Sequence, residues 1–501
     1  MWLYIFIALA LALAWAYTRW AKVKRFWADR GVPHLPIHPI YGSLDFLTQE
    51  NPGSWMRRMY ERYKGPYVGM WLFWRPALII NSPEIARRVL VKDSDNFRNR
   101  FLGTGISKGD PIGGLNLFTT NDPAWSMIRR RLTPVFTSSK LKSMNGLKLA
   151  KSKELAQRIH NDMVAKKDIE IRTMFADFTT DIIGIAAFGV DSNATLTGES
   201  SIRTITKDFM EYDFIRGLSW CSIFFFPELV NIFRFRFFPK HTTDYFRRVF
   251  RSMLAQRGGY EGKREHNDLL DALLRMKHEA DLNGEVLDED VVIAQAMIFI
   301  QGGFDTSAVS LSFLTYELAF QPEIQDKLYN ELLEAKEKNG GDENMDGTIL
   351  SELTYMNCII KETLRKYPAM GYLDRIAARD YEIDEKLTIP AGTTIYVNAV
   401  GMHYDPDYFP DPMKFDPDRF LPEREHEIKP FTYMPFGEGP RNCIGMRFAQ
   451  RVMWHALSSL FLKYSVRPKP NAKRPEQIQL ERKALFLMPE DELYVDFIPR
   501  K

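Results

Sequence analysis

The stretch Pro435-Phe436-Gly437-Glu438-Gly439-Pro440-Arg441-Asn442-Cys443-Ile444-Gly445 precedes a strongly apolar helical pattern, and it narrows sharply what the chain can fold around. Gly437, Gly439 and Gly445 permit backbone conformations and close approaches forbidden to larger residues, so a flat group can lie very near this loop. From there Ile444, Phe448, Val452, Ala456, Leu460 and Tyr464 recur every four residues, with Ala449, Met453, Leu457 and Phe461 beside them, as a buried helix face requires. Cys443 therefore stands at a helix N-terminus. Unpaired N–H groups there favour a thiolate, which is a strong soft ligand for iron. Arg441 offers a fork of donors suited to a carboxylate. Taken alone, a buried cysteine is more often a small hydrophobe than a ligand, so the surrounding spacing carries the argument.

The run Phe-Gly-x-Gly-x-Arg-x-Cys-x-Gly, Phe436 through Gly445, resembles the cysteine-ligand signature of the haem-thiolate monooxygenases, the cytochrome P450 superfamily. The resemblance implies haem b (iron protoporphyrin) with the Cys443 thiolate as metal ligand, Phe436 against the haem and Arg441 on a propionate. It also implies a mostly α fold with small β-sheets (α+β), a long central helix over the haem and an N-terminal membrane anchor.

Composition and order are compatible with this. At 501 residues the chain exceeds the ~250–300 at which single cores usually stop growing, yet no Gly/Ser-rich linker or repeat divides residues 45 to 495. With the resemblance this gives a transmembrane signal anchor at 1–20, a basic and proline-rich linker at 21–44 and one haem-thiolate catalytic domain at 45–501. Dispersed charge, 67 Lys plus Arg against 64 Asp plus Glu, gives no nucleic-acid surface. Cys221, Cys358 and Cys443 are too few and too scattered for a disulfide framework or zinc cluster, which suggests a reducing compartment.

Residues 1 to 17 carry no charge and span ~26 Å as a helix, close to a bilayer core. Arg19, Lys22, Lys24 and Arg25 follow, which places the downstream chain in the cytoplasm: an endoplasmic reticulum membrane protein with its catalytic domain on the cytosolic side. A cleaved signal peptide, with Ala8 to Ala14 supplying the cleavage site, is the competing reading. Pro33, Pro36 and Pro39 predict a stiff extended connector, and Tyr67–Trp71 and Ala77–Ile80 predict short strands.

The longest predicted helix runs from Leu287 to Phe320, with Asp288, Glu289 and Asp290 at its positive end and Pro322 to stop it. Gln295, Gln301 and Asp305 argue against a bilayer span, so it is expected to be buried in the domain. Inside it lies Gly302-Gly303-Phe304-Asp305-Thr306-Ser307, where each glycine costs ~1 kcal/mol in a helix and an unpaired buried Asp more. The glycines clear space for a flat cofactor and a diatomic ligand, and Thr306 can open a polar notch by bonding a backbone carbonyl. The motif resembles the family's Ala/Gly-Gly-x-Asp/Glu-Thr-Thr/Ser. That resemblance makes Asp305 and Thr306 catalytic, relaying protons to dioxygen for O–O cleavage, and sets Gly303 beside the haem.

Further matches extend the resemblance. Trp125 and Arg129 share a helix face at i and i+4, and with Arg375 they fall where the family bonds haem propionates. Glu362 and Arg365 form an i, i+3 pair, and the Phe415–Phe420 stretch supplies Arg419, giving the family's buried triad with a structural role. Ile106 to Phe118 reads as a mobile apolar loop roofing the pocket. Phe209 to Phe238 is so rich in aromatics that it either dips into the membrane interface or is plain core. The implied partners are NADPH-cytochrome P450 reductase, cytochrome b5 as a second donor, a lipophilic small-molecule substrate and membrane lipid. Glu362–Pro368 and Pro435–Gln450 are similar to the insect microsomal sixth family, whose members oxidise plant toxins, insecticides or hormones. The expected function is a membrane-bound monooxygenase. A peroxide-using haem-thiolate isomerase or dehydratase, and a non-enzymatic haem sensor or carrier, are the alternatives.

Overall fold

The uncharged N-terminal run forms one helix, α1 (Trp2–Arg25), which buries none of its residues and is long and apolar enough to cross a bilayer. In this computed structural model, residues 1–45, 50–107, 109–211, 213–263, 265–266, 268–341 and 345–500 are described. Lys108 of the expected roof loop, Tyr212 of the aromatic segment and Lys501 at the end of the expected domain lie outside them.

Helix α1 continues past residue 20 into the basic segment, and the prolines after it do not leave a free connector. Trp27 Nε1 donates to the Met70 carbonyl at 3.0 Å, and Leu35 N and Gly69 N bond to the carbonyls of Gly69 and Pro33 at 2.8 and 2.7 Å. Gly69 must lack a side chain because the Trp27 ring would lie 2.5 Å from its Cβ. The linker is thus docked on β1 (Tyr67–Leu72), which pairs antiparallel with β2 (Arg75–Ile80) where the sequence places two short strands. Two later strands, β3 (Leu373–Ile376) and β4 (Thr394–Val397), complete a sheet of order β1–β2–β4–β3, in which only β2–β4 is parallel.

Helices make up the bulk of the molecule, and seven more position the site: α2 (Ala124–Leu132), α3 (Ile171–Phe188), α4 (Phe214–Phe225), α5 (Pro227–Phe233), α6 (Glu289–Ala319), α7 (Thr354–Lys366) and α8 (Met446–Phe461). Helix α6 is the predicted long helix within two residues at each end; the Asp288 carboxylate caps it by accepting from Asp290 N. It is buried on nearly every side, as its lack of a polar face requires. Helix α3 packs along it closely enough for the Thr179 hydroxyl to donate to the Phe304 carbonyl at 3.0 Å. The fold is mixed α+β, with α6 passing between α3 on one side and the cysteine loop on the other.

Candidate active site

The cysteine loop takes its shape from backbone that only glycine adopts easily. Gly437 and Gly439 have φ of +70° and +73°, and a Cβ on Gly439 would stand 1.8 Å from the Leu90 carbonyl. The loop closes when Cys443 N donates to the Phe436 carbonyl at 2.8 Å, and α8 starts three residues later. Cys443 has accessible surface, and it lines the cavity. Burial pushes its thiol pKa up, while the Gly445 N–H, Arg129 and Arg100 pull the other way. The helix terminus expected from sequence therefore contributes without sufficing, and a bound metal cation would supply the remaining stabilisation of a thiolate.

Across the cavity from Cys443 stands the middle of α6. Gly302, Gly303, Asp305 and Thr306 all line the space, and the Thr306 hydroxyl donates to the Gly302 carbonyl at 2.8 Å. The two glycines differ. A Cβ on Gly302 would meet open space, whereas one on Gly303 would stand 2.7 Å from Ile183 Cδ1 of α3. Gly303, expected beside the cofactor, is thus fixed chiefly by helix packing, and Gly302 presents the bare backbone to the cavity. Asp305 is buried, with a carboxylate oxygen 3.9 Å from an Arg172 guanidinium nitrogen.

Near one end of the cavity gather guanidiniums from four separate segments, Arg100, Arg129, Arg375 and Arg441; Asp374 acts on Arg100, Arg375 and Arg441, and Asp122 also acts on Arg441. Burial, reinforced by the neighbouring arginines, lowers the Arg375 pKa to about 9 and that of Arg441 to about 8. Arg441 lies 4.1 Å over the Trp125 ring, and Arg129 bonds the carbonyl and side-chain oxygens of Asn442 at 3.0 and 2.9 Å. Two nitrogens of Arg441 and two of Arg100 are buried without any partner. So much unneutralised, undersatisfied positive charge fits two carboxylates of a bound ligand. With a soft sulfur at the centre and a bare helix backbone opposite, the residues present fit a haem and its propionates. Arg100 was not foreseen: one arginine in Phe97-Arg98-Asn99-Arg100 carries no spacing signal, and its neighbour Arg98 is an exposed partner of Asp95.

The cytochrome P450 family profile matches residues 33–497. Cytochrome P450 6k1 of Blattella germanica is 31% identical over 94% of this chain and 92% of its own length. Cytochrome P450 6l1 of the same species is 33% identical over 96% and 93%, and cytochrome P450 6a2 of Drosophila melanogaster 34% over 88% and 89%. The chain belongs to the cytochrome P450 family. It is a haem-thiolate monooxygenase, of a family whose haem is held by a cysteine thiolate and which draws electrons from redox partners.

In this cytochrome P450 the cysteine loop is braced from behind. Arg365 of α7 forks onto Glu362 at 2.7 and 2.8 Å, Arg419 approaches the same carboxylate at 3.6 Å, and all three are buried. Arg365 also donates to the carbonyls of His403 and Pro412, each at 2.8 Å. His403 then links this triad to the loop: Nδ1 bonds the Arg365 carbonyl at 3.0 Å and Nε2 accepts from Met434 N at 2.8 Å. That tautomer is neutral, and burial lowers its pKa to about 3. In sequence, His403-Tyr404-Asp405-Pro406 only fills the interval expected from the resemblance, and the histidine itself carries no signal of this role.

The described residues of the roof loop, 106–107 and 109–118, include a short helix, Pro111–Gly114, and Gln295 of α6 bonds the loop by accepting from Leu117 N at 2.8 Å and donating to the Leu115 carbonyl at 2.6 Å. Asp110 accepts from Phe237 N at 2.7 Å, tying the loop to the aromatic segment. That segment is divided. Trp220, Phe224, Phe225, Phe237 and Phe238 are core, while Phe214, Ile215, Ile232 and Phe233 are exposed.

Proposed function

We propose that this protein is a membrane-bound monooxygenase of lipophilic small molecules, either xenobiotics such as plant toxins and insecticides or endogenous hormones. In this reading it uses dioxygen and electrons from NADPH, delivered by NADPH-cytochrome P450 reductase with cytochrome b5 as a second donor. The observation that carries it is the apposition, on the walls of one cavity, of Cys443 with the Gly302–Asp305–Thr306 notch of α6.

Cys443 ligates the iron of haem b, and Arg100, Arg129, Arg375, Arg441 and Trp125 hold its propionates. When bound, this group supplies the activation of dioxygen. The Thr306 hydroxyl, which donates to the Gly302 carbonyl, sets a hydroxyl oxygen on the wall next to Asp305, and by leaving that carbonyl it can hand its proton into the cavity. Asp305 lines the cavity with a carboxylate oxygen 3.9 Å from Arg172, so it can take up a proton from solvent and release it toward the Thr306 hydroxyl. Phe118, Phe299 and Phe486 keep water out and offer an apolar substrate its contacts.

The outer surface supports a microsomal setting, in the endoplasmic reticulum membrane with the catalytic domain in the cytosol. Trp20 of α1 lies 5.7 Å from Trp74, Trp74 Nε1 donates to the Pro39 carbonyl at 2.7 Å, and Arg75 pairs with Glu228 of α5. The exposed Ile40, Phe73, Ile232 and Phe233 thus adjoin the end of the anchor, where a lipid surface would cover them.

The test is the carbon monoxide difference spectrum of reduced membranes, which should show the strongly red-shifted thiolate band. Replacing Thr306→Ala should leave that band intact while NADPH consumption runs on with product yield per NADPH at least halved. A histidine-type band, or unchanged coupling, would overturn the reading.

A further inference from the structure

A second hollow shares no residue with the cavity of Cys443. It is a groove where the last turn of α1 meets the linker, lined by Lys24, His34, Leu35, Pro36, Ile37 and Tyr63 over the buried Trp71. Around it the polar atoms of the junction are committed. Trp27 Nε1, Trp71 Nε1 and Trp74 Nε1 donate to the carbonyls of Met70, Val23 and Pro39, and the hydroxyls of Tyr60 and Tyr67 donate to Asp405 and Asp384 at 2.6 and 2.7 Å. In the groove they are not. The Lys24 ammonium, the His34 ring and the Tyr63 hydroxyl have no hydrogen-bond or ion-pair partner among the described residues, and none of these polar atoms is shut away from solvent.

The groove also has a sign. No carboxylate lines it, and along the adjoining chain Lys22, Lys24, Arg25 and Arg30 face only Asp29 in number. Arg62 stands 5.5 Å over the Tyr63 ring and Lys64 follows, while Glu61 is already paired with Arg57 at 2.9 Å. Burial lowers the His34 pKa, so at neutral pH its ring is uncharged and offers one N–H. Depth agrees with a lipid headgroup: Trp20 packs on Trp74 where an interfacial aromatic belt belongs, and Lys24 is one helical turn further on, ~6 Å, at the level of phosphates.

We infer that this groove binds one anionic glycerophospholipid, whose phosphate takes the charge of Lys24 and the donors of His34 and Tyr63 while its glycerol end lies on Pro36 and Ile37. The inference rests on the membrane setting proposed above. Such a lipid touches α1, the linker and Tyr63 at the end of the helix Pro52–Arg62 at once, so it ties anchor to domain. Diffuse attraction of basic residues to a charged surface would not. A zwitterionic lipid brings its own ammonium beside Lys24 and is disfavoured.

The experiment titrates the full-length haem-containing protein, in neutral detergent, with dihexanoyl phosphatidylglycerol and dihexanoyl phosphatidylcholine by calorimetry. The two share chains and phosphodiester and differ in the ammonium, so partition into detergent cancels. One phosphatidylglycerol per protein should bind, roughly tenfold tighter than phosphatidylcholine, as for a charge-assisted hydrogen bond. Lys24→Gln and Tyr63→Phe should each weaken it roughly fivefold, and the double variant by the product. Lys22→Gln, which removes the same charge from the same helix outside the groove, should leave the affinity unchanged. Equal losses in Lys22→Gln and Lys24→Gln, an unchanged affinity in Tyr63→Phe, no preference between the lipids, or inorganic phosphate bound as tightly as phosphatidylglycerol overturns the inference. Flotation with phosphatidylcholine vesicles reads the anchor separately, so failure of the membrane setting is distinguishable from failure of this assignment.

Discussion

The two sides of the cavity are built by different means. Behind Cys443, positive-φ glycines shape the loop, and the Glu362–Arg365–Arg419 triad and His403 brace it by directed bonds. The roof of α4, α5 and residues 106–118 is instead mostly aromatic packing, such as Trp220 on Phe237 at 5.6 Å and Phe118 near Phe237 at 6.3 Å, with a few polar ties. Directed bonds specify one geometry, whereas apolar contacts accept many shapes of similar volume. One side can therefore keep the chemistry constant while the other changes what it is applied to.

Breaking the rigid side should cost most. Arg365→Leu leaves buried Glu362 with only the Asp416 N–H at 2.9 Å and Arg419 at 3.6 Å, which should cost ~3 kcal/mol, lower the urea midpoint and deplete the thiolate band at growth temperature. A small shift in either would mean that the triad is not what braces the loop. The two glycines of α6 sharpen the comparison at the next level. Gly303→Ala forces Ile183 to move and should destabilise by ~1–3 kcal/mol. Gly302→Ala should gain up to ~1 kcal/mol of helix propensity while weakening ligand binding, so equal effects on stability would refute the packing difference.

His403 makes the rigid side pH-sensitive. Its pKa of about 3 in the folded chain lies below the unfolded ~6.5, so between those values only the unfolded state takes up the proton. Stability present above pH 6.5 is thus lost as pH falls. His403→Gln should flatten that decline by about one proton, ~1.4 kcal/mol per pH unit, in urea titrations. Parallel curves for the two proteins would show that His403 is not held neutral; His455, also lowered to about 3, leaves a residual slope in both. The roof should show the smallest effect. Glu228→Gln breaks a partly exposed pair with Arg75 and should change the urea midpoint by no more than ~1 kcal/mol. A larger loss would mean that the roof, too, is held by directed bonds.

The same division explains what could be read from sequence. Gly437, Gly439, Arg441 and Cys443 lie within seven residues, and the limits of α6 are marked by Asp288 and Pro322, so local chemistry announces them. Arg100 and His403 act on groups 341 and 31 positions away along the chain, and nothing in their neighbours reveals it. The loop reading of residues 106–118 follows from their glycines; the bonds that Gln295, far along the chain, makes to the loop have no signal there. The motif set Gly303 rather than Gly302 beside the haem; the position of Ile183, which only the fold shows, leaves Gly302 as the glycine with open space before it.

The docked linker has a mechanical consequence. Trp71 Nε1 donates to the Val23 carbonyl at 3.1 Å, so the last turns of α1 are bolted to the β-sheet, and Arg75 carries that connection on to α5. The N-terminal helix then works as a mast rather than a leash. In a bilayer its tilt follows hydrocarbon thickness, and here a tilt would swing the whole domain with it. In the proposed membrane setting, lipid composition would thereby set the angle at which the roof faces the bilayer.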